Sequence, residues 1–236
     1  MSLRSDIASR LDQVHSRIAR AATTAHRSPH EVRLVAVSKT FGLELVRAAA
    51  AAGQEDFGEN RVQEALQKMA GSADLSIRWH LIGTLQSNKA RKAAEHFAWI
   101  HSVDSLSLLE RLDAAAAAAG TRPKVLVQVD LAGEPTKHGA LSSALPAIFE
   151  AARECRAAQV VGLMVLPPWS EDAEPARTYF RQLRQIRDRL EARGVAGEML
   201  RELSMGMSHD FEVAVQEGAT IVRIGTAIFG TRNQGV

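Results

Sequence analysis

Residues 98–130 read AWIHSVDSLSLLERLDAAAAAAGTRPKVLVQVD, and this stretch decides the fold. AWIHSV (98–103) and KVLVQVD (124–130) are short, apolar and rich in β-branched residues, which is the pattern of strands. Between them, residues 105–119 carry apolar side chains at helical spacing with charge on the other face. Alanine favours the helix, and Gly120 ends it. Strand, helix and strand in succession imply a parallel pair joined by a helical crossover.

The same alternation runs outward in both directions. Before this unit come RLVAVS (33–38), EDFGE (55–59) and IRWHLIG (77–83); after it come VVGLMVL (160–166), LRELSMG (200–206) and TIVRIG (220–225). Helical patterns lie near 43–52, 60–70, 86–96, 141–155, 173–193 and 208–217, with an extra amphipathic helix at 3–25. Eight strands in 236 residues suit a closed (β/α)8 TIM barrel, one α/β domain over 1–236, better than an open doubly wound sheet. A flavodoxin-like or Rossmann-like sheet does not explain the strand count, and no GxGxxG follows the first strand. The longest expected loop is 131–140, LAGEPTKHGA.

Hydrophobic residues make up 46% and charged residues 24%, and the formal net charge is +2. Charge therefore implies no nucleic-acid or membrane partner. Cys155 is the only cysteine, so no internal disulfide can form, and a reducing, cytoplasmic setting fits. The N-terminal segment lacks the apolar core of a signal peptide. No stretch approaches the roughly 20 apolar residues of a membrane-spanning helix. A monomer is expected, because an open barrel mouth needs no partner.

Barrel active sites sit at the C-terminal ends of the strands. The residues there are Ser38, Lys39, Glu59, Asn60, His80, Gly83, Ser102, Asp104, Asp130, Met164, Ser204, Gly206, Ser208, Arg223, Gly225 and Thr226. Lys39 directly follows the apolar LVAVS and would point from the barrel wall into the mouth. Desolvation lowers a lysine's pKa, and a neutral amine can attack an aldehyde. Taken alone, Lys39 also reads as a solvated lysine at a strand end.

LSMGMS (203–208) and RIGT (223–226) add hydroxyls and glycines after strands 7 and 8, where barrel phosphate sites lie. Ser208 also reads as an N-cap for the helix that follows. Arg223, inside the apolar IVRIG, needs a buried acceptor. That acceptor is either an acid such as Asp104 or Asp130, or the pyridine nitrogen of pyridoxal 5′-phosphate (PLP). An arginine partner stays protonated, so the ring nitrogen would remain unprotonated and the cofactor a poorer electron sink. Met164 could pack near such a ligand, although core packing is the simpler reading.

VAVSKT (35–40), FGENRVQE (57–64), WHLIGTLQSNK (79–89), HSVDS (101–105), GLMVLPP (162–168) and LSMGMSHDFEVAVQEGATIVRIGTAIFG (203–230) resemble the YggS/PROSC-type PLP homeostasis proteins. These are similar to the N-terminal barrel of alanine racemase. The resemblance covers roughly residues 30–230. It implies a fold-type III PLP barrel with a Schiff base, an internal aldimine, on Lys39. It also implies ring contact from Arg223, phosphate contacts from Ser204, Ser208, Gly225 and Thr226, and Asn60 near the cofactor. Two positions depart from the family pattern: Thr84 replaces a common proline and Gln128 a usual asparagine, while Glu134, Lys137 and Gly139 are kept. Neither departure is expected to touch the Schiff base or the phosphate.

A racemase needs two bases, one on each face of the substrate α-carbon. In alanine racemase a tyrosine from a second, β-rich domain supplies one. Tyr179, the only tyrosine here, lies in a helical pattern on the expected outer ring, and the chain ends at Val236, shortly after strand 8. The resemblance thus implies a non-catalytic carrier for intracellular PLP homeostasis, with PLP-dependent apo-enzymes as recipients. The alternatives are a weak amino-acid racemase or other PLP enzyme, with His80 or a partner chain supplying the missing base, and a phosphate-binding barrel that does not use PLP.

Overall fold

The computed structural model describes residues 3–133 and 138–231. Glu134 and Lys137, kept from the family pattern, lie outside the described residues, as do all of 134–137 within the expected 131–140 loop. Eight parallel strands close into a barrel in chain order. They are β1 (Arg33–Val37), β2 (Asp56–Glu59), β3 (Arg78–Leu81), β4 (Trp99–Val103), β5 (Lys124–Gln128), β6 (Gln159–Met164), β7 (Glu202–Ser204) and β8 (Ile221–Ile224). Helices α1 (Leu3–Thr24), α2 (Leu43–Ala51), α3 (Val62–Ala70), α4 (Ala90–His96), α5 (Leu106–Ala119), α6 (Leu145–Glu154), α7 (Glu174–Ala192) and α8 (Phe211–Gln216) follow the expected pattern. A ninth helix, α9 (Thr226–Phe229), was not anticipated.

The β4–α5–β5 unit folds as its residues dictate. The Ser105 hydroxyl caps α5 by accepting from the Leu108 N–H at 3.3 Å. Gly120 ends the helix in the left-handed region at φ 67°, which a side chain would disfavour. Ser208, by contrast, does not cap the helix after it. α8 begins at Phe211 with Asp210 at its N-cap, leaving the Ser208 hydroxyl to bond elsewhere.

Two apolar clusters hold the layers. The larger fills the space between barrel and helices and includes Phe57, Leu81, Ile100, Leu109, Phe149, Phe180 and Phe211. Burial of each such side chain contributes about 1.5–3 kcal/mol. The smaller comprises Val35, Trp99, Leu126, Met164 and Ile221, one residue from each of five strands, inside the barrel.

α1 buries Ile7, Leu11, Val14, Ile18 and Ala22 on one face and packs on α2, α8 and α9. It therefore braces the outer ring over the seam where β8 meets β1. Arg17 donates twice to Glu212, at 3.1 and 2.8 Å, and lies over the Phe211 ring. Arg10 reaches the Ile228 carbonyl of α9 at 3.3 Å. Opposite, the buried Glu217 at the end of α8 collects Arg177, Arg181 and Arg184 from α7. Among the described residues, no helix is long and apolar enough to cross a membrane.

β6 and β7 lie close together at Gly162, where an added Cβ would sit 1.9 Å from the Glu202 carbonyl oxygen. That atom is backbone and cannot turn aside. Gly162→Ala should lower stability by about 3 kcal/mol. Gly197→Ala, whose Cβ would meet only a side-chain atom at 3.7 Å, should change it by under about 1 kcal/mol. Urea denaturation of both variants checks this; equal midpoints would contradict the close strand approach.

Candidate functional site

A cavity of ≈ 420 Å³ opens at the C-terminal ends of the strands. This lies in the range of small-molecule sites. Six of the eight cofactor residues expected from sequence line it: Lys39, Asn60, Ser208, Arg223, Gly225 and Thr226.

Lys39 stands at the first position past Ser38, at the top of β1. The next residue, Thr40, holds φ 66°, a left-handed conformation that costs a β-branched residue roughly 1–3 kcal/mol. The turn is kept by hydrogen bonds beneath it. The Thr40 N–H donates to Glu64 Oε1 at 2.6 Å. Lys68 Nζ donates to the Ser38 carbonyl at 2.7 Å, to Glu59 Oε1 at 2.6 Å and to Glu64 Oε1 at 3.1 Å. The Ser38 hydroxyl also donates to Glu59 Oε1, at 2.7 Å. Burial pushes the Glu59 carboxyl up, while Lys68 and Ser38 oppose it. Ser38 and Glu59, expected at the mouth, thus form a buttress under the lysine turn.

Arg223 rises from β8 and is only 3% exposed. Its Nη1 donates to Ser204 Oγ at 2.6 Å and its Nη2 to the Val165 carbonyl at 2.9 Å. Among the described residues no carboxylate makes an ion pair with it; Asp130 instead accepts from the Ala132 and Gly133 N–H groups of its own loop. Burial lowers the guanidinium to about 10, with the Asp210 charge opposing, so it stays protonated at neutral pH.

At the opposite wall, Ser208 Oγ accepts from the Gly225 N–H at 3.2 Å. A hydroxyl has one proton and two lone pairs, so its O–H remains available to donate. Gly225 precedes α9, and Thr226 opens it. A short helix after the last strand is a usual component of phosphate sites in this architecture.

Two of the expected cofactor residues do not line the cavity. Ser204 is fully buried beneath the cavity, its hydroxyl held by Arg223 and, at 2.9 Å, by His101 Nδ1. Met164 packs in the inner apolar cluster and does not line the cavity. His80 is also below the floor, between His101 at 3.0 Å and Asp56 at 3.0 Å, and cannot reach a substrate. Thr84 and Gln128, the two departures, do line the cavity, and the Gln128 amide donates to the His138 carbonyl.

Sequence reasoning missed Phe41, Ile82, Leu166, Trp169, Met207 and His209, which also line it. Trp169, 71% exposed, stands 6.4 Å ring to ring from His209. Its position in the loop just after β6 was the available signal, because barrel sites are built from such loops.

Residues 9–233 match the family model "Alanine racemase, N-terminal domain". A Pseudomonas aeruginosa PAO1 protein named pyridoxal phosphate homeostasis protein is 45% identical, over 98% of each chain. PipY of Synechococcus elongatus PCC7942, solved without PLP, superposes with a TM-score of 0.86 at 45% identity, covering 95% of this chain and 100% of that one. Its structure with PLP bound gives 0.85 at 44%, with the same coverage.

Burial keeps both barrel histidines below their usual pKa; Asp56 opposes this at His80, and the charge of Arg223 adds to it at His101. The folded state therefore binds fewer protons than the unfolded chain. Their contribution to stability is complete above about pH 6.5 and falls as pH drops below it. Each histidine adds up to about 1.4 kcal/mol per pH unit. His101→Gln should flatten this limb by up to that amount between about pH 6.5 and 5, measured by urea denaturation across pH. An unchanged slope would mean that His101 is protonated in the folded protein.

Proposed function

We propose a function from one premise: the chain belongs to the alanine racemase N-terminal-domain family and, within it, to the pyridoxal phosphate homeostasis proteins. On our reading it binds PLP in the cavity above the barrel, holds it on Lys39 and releases it to other proteins. The observation that carries this reading is the donor set around one cavity: a lysine amine, a buried guanidinium with no carboxylate ion-pair partner among the described residues, and a hydroxyl–glycine pair.

The set fits the cofactor group by group. Lys39 would hold it covalently through its amine. Arg223, positively charged and aimed from β8, would donate to the ring nitrogen. Ser208, the Gly225 backbone and Thr226 would bind the phosphate, and Asn60 would border the ring. Ser204 and Met164 drop out of direct contact. When bound, PLP supplies an aldehyde carbon for amines and a pyridine ring that withdraws electrons. Arg223 would moderate that withdrawal, because it offers protons for hydrogen bonding and does not give one up.

Racemisation by a two-base route needs a second proton carrier on the other face of the substrate α-carbon. Tyr179 sits half-buried on α7, in the outer ring, and His80 lies below the floor. Among the described residues that line the cavity, the ionisable side chains are Lys39, His209 and Arg223. The favoured reading is a carrier without turnover, acting as a monomer in the cytoplasm over a single 1–236 domain, with PLP-dependent apo-enzymes as recipients. The second reading, a weak racemase, rests on His209 in place of His80, since His209 stands at the mouth.

Borohydride reduction of PLP-loaded protein, followed by peptide mapping, should place the phosphopyridoxyl group on Lys39, and Lys39→Ala should lose it. Label on another lysine in wild type would contradict the assignment. Incubation with L-alanine in D2O should leave the α-proton unexchanged; steady deuterium uptake, abolished by His209→Ala, would establish the racemase reading instead.

A further inference from the structure

Below the cavity, five side chains from five strands form one line through the barrel. Arg223 Nη1 lies 2.6 Å from Ser204 Oγ. Ser204 Oγ lies 2.9 Å from His101 Nδ1, and His101 Nε2 lies 3.0 Å from His80 Nδ1. His80 Nε2 lies 3.0 Å from Asp56 Oδ1, at the far end of the barrel. All five groups are buried.

The ends of this line fix its direction. Ionised Asp56 can only accept, so His80 must carry its proton on Nε2 and leave Nδ1 as an acceptor. His101 must then donate through Nε2 and accept at Nδ1. The proton for Nδ1 comes from the Ser204 hydroxyl, whose oxygen accepts from Arg223, a group that can only donate. The direction set from the arginine end agrees with the one set from the aspartate end at every link. Asp56 is itself held by Arg78 at 2.7 Å and Arg33 at 3.1 Å, and Trp99 stacks on His80 with planes 6° apart.

We propose that Ser204, His101, His80 and Asp56 are positioning residues for Arg223, a one-directional hydrogen-bond relay that sets how its guanidinium meets the ring nitrogen of PLP. The relay takes up one N–H of Nη1, and the Val165 carbonyl takes up one of Nη2. The group therefore cannot rotate without breaking both bonds. The aspartate's negative charge polarises each successive link toward the arginine, so a residue at the barrel bottom acts on a ring at its top. This inference rests on the PLP reading of the cavity, but its first test does not.

In histidine-15N-labelled protein without PLP at pH 7, NMR should show His80 and His101 as neutral Nε2–H tautomers. A charged ring or an Nδ1–H tautomer at either residue overturns the relay. In PLP-loaded protein, Ser204→Ala should shift the cofactor's absorption band and weaken PLP binding about tenfold or more, as loss of a charge-assisted hydrogen bond implies. Ser204→Thr, which keeps the hydroxyl, should restore both, and borohydride should still trap PLP on Lys39 in both variants. An unshifted band with unchanged affinity in Ser204→Ala overturns the positioning role. If wild type binds no PLP at all, the function reading fails while the tautomer result still decides the relay.

Discussion

The pairing of β1 with β8 is the constraint on which the rest of the molecule depends. Its register sets Val35 beside Arg223 and Ala36 beside Ile224. Residues from the two ends of the chain thereby meet on neighbouring strands. Lys39, a few positions past that register, and Arg223 come to face one cavity, with Gly225 and Thr226 completing its wall. An open sheet would leave β1 and β8 at opposite edges. α1 reinforces the seam from outside: its arginines reach α8 and α9, the elements that carry the Ser208–Thr226 side of the cavity.

Barrel interiors are usually filled by apolar layers. Here the apolar layer of Val35, Trp99, Leu126, Met164 and Ile221 is threaded by a polar column from Asp56 to Arg223. Buried polar groups are costly unless each is paired, and a half-satisfied column would be worse than an apolar core. Arginines at the bottom hold Asp56 well below the usual carboxylate range despite burial, which tends to raise it. At the top the column ends in a charged donor with no described carboxylate as partner. Ser204 and the Val165 carbonyl each take up one of its N–H groups, and a ring nitrogen reaching from the cavity would supply a further acceptor.

Much of this was legible in the sequence. Every expected strand is present, within two residues at most ends, because short apolar runs between amphipathic stretches leave little choice in a parallel sheet. Lys39, Arg223 and Ser208, expected from their positions at strand ends, line one cavity. What failed was depth. Ser204 and Ser208 look equivalent in LSMGMS, yet Ser204 lies on β7 inside the barrel and Ser208 lies past it in the loop. Sequence period tells which face a strand residue takes, but not its layer. His80 and His101 were visible as residues, though not as partners, since their contact depends on barrel register. A buried arginine and two strand histidines, all needing partners, were the available signal. α9 was missed because four residues carry no helical period, and RIGTAIFG reads as the end of a strand.

Barrel closure gathers three sets of contacts around one cavity, and on the proposed reading all three hold PLP at once. A crystal structure of the PLP-loaded protein tests it most directly. The account predicts density continuous with the Lys39 side chain, the ring nitrogen against the Arg223 guanidinium, and the phosphate against Ser208, Gly225 and Thr226. PLP bound elsewhere, or in this cavity with its phosphate turned toward Arg223, would contradict it.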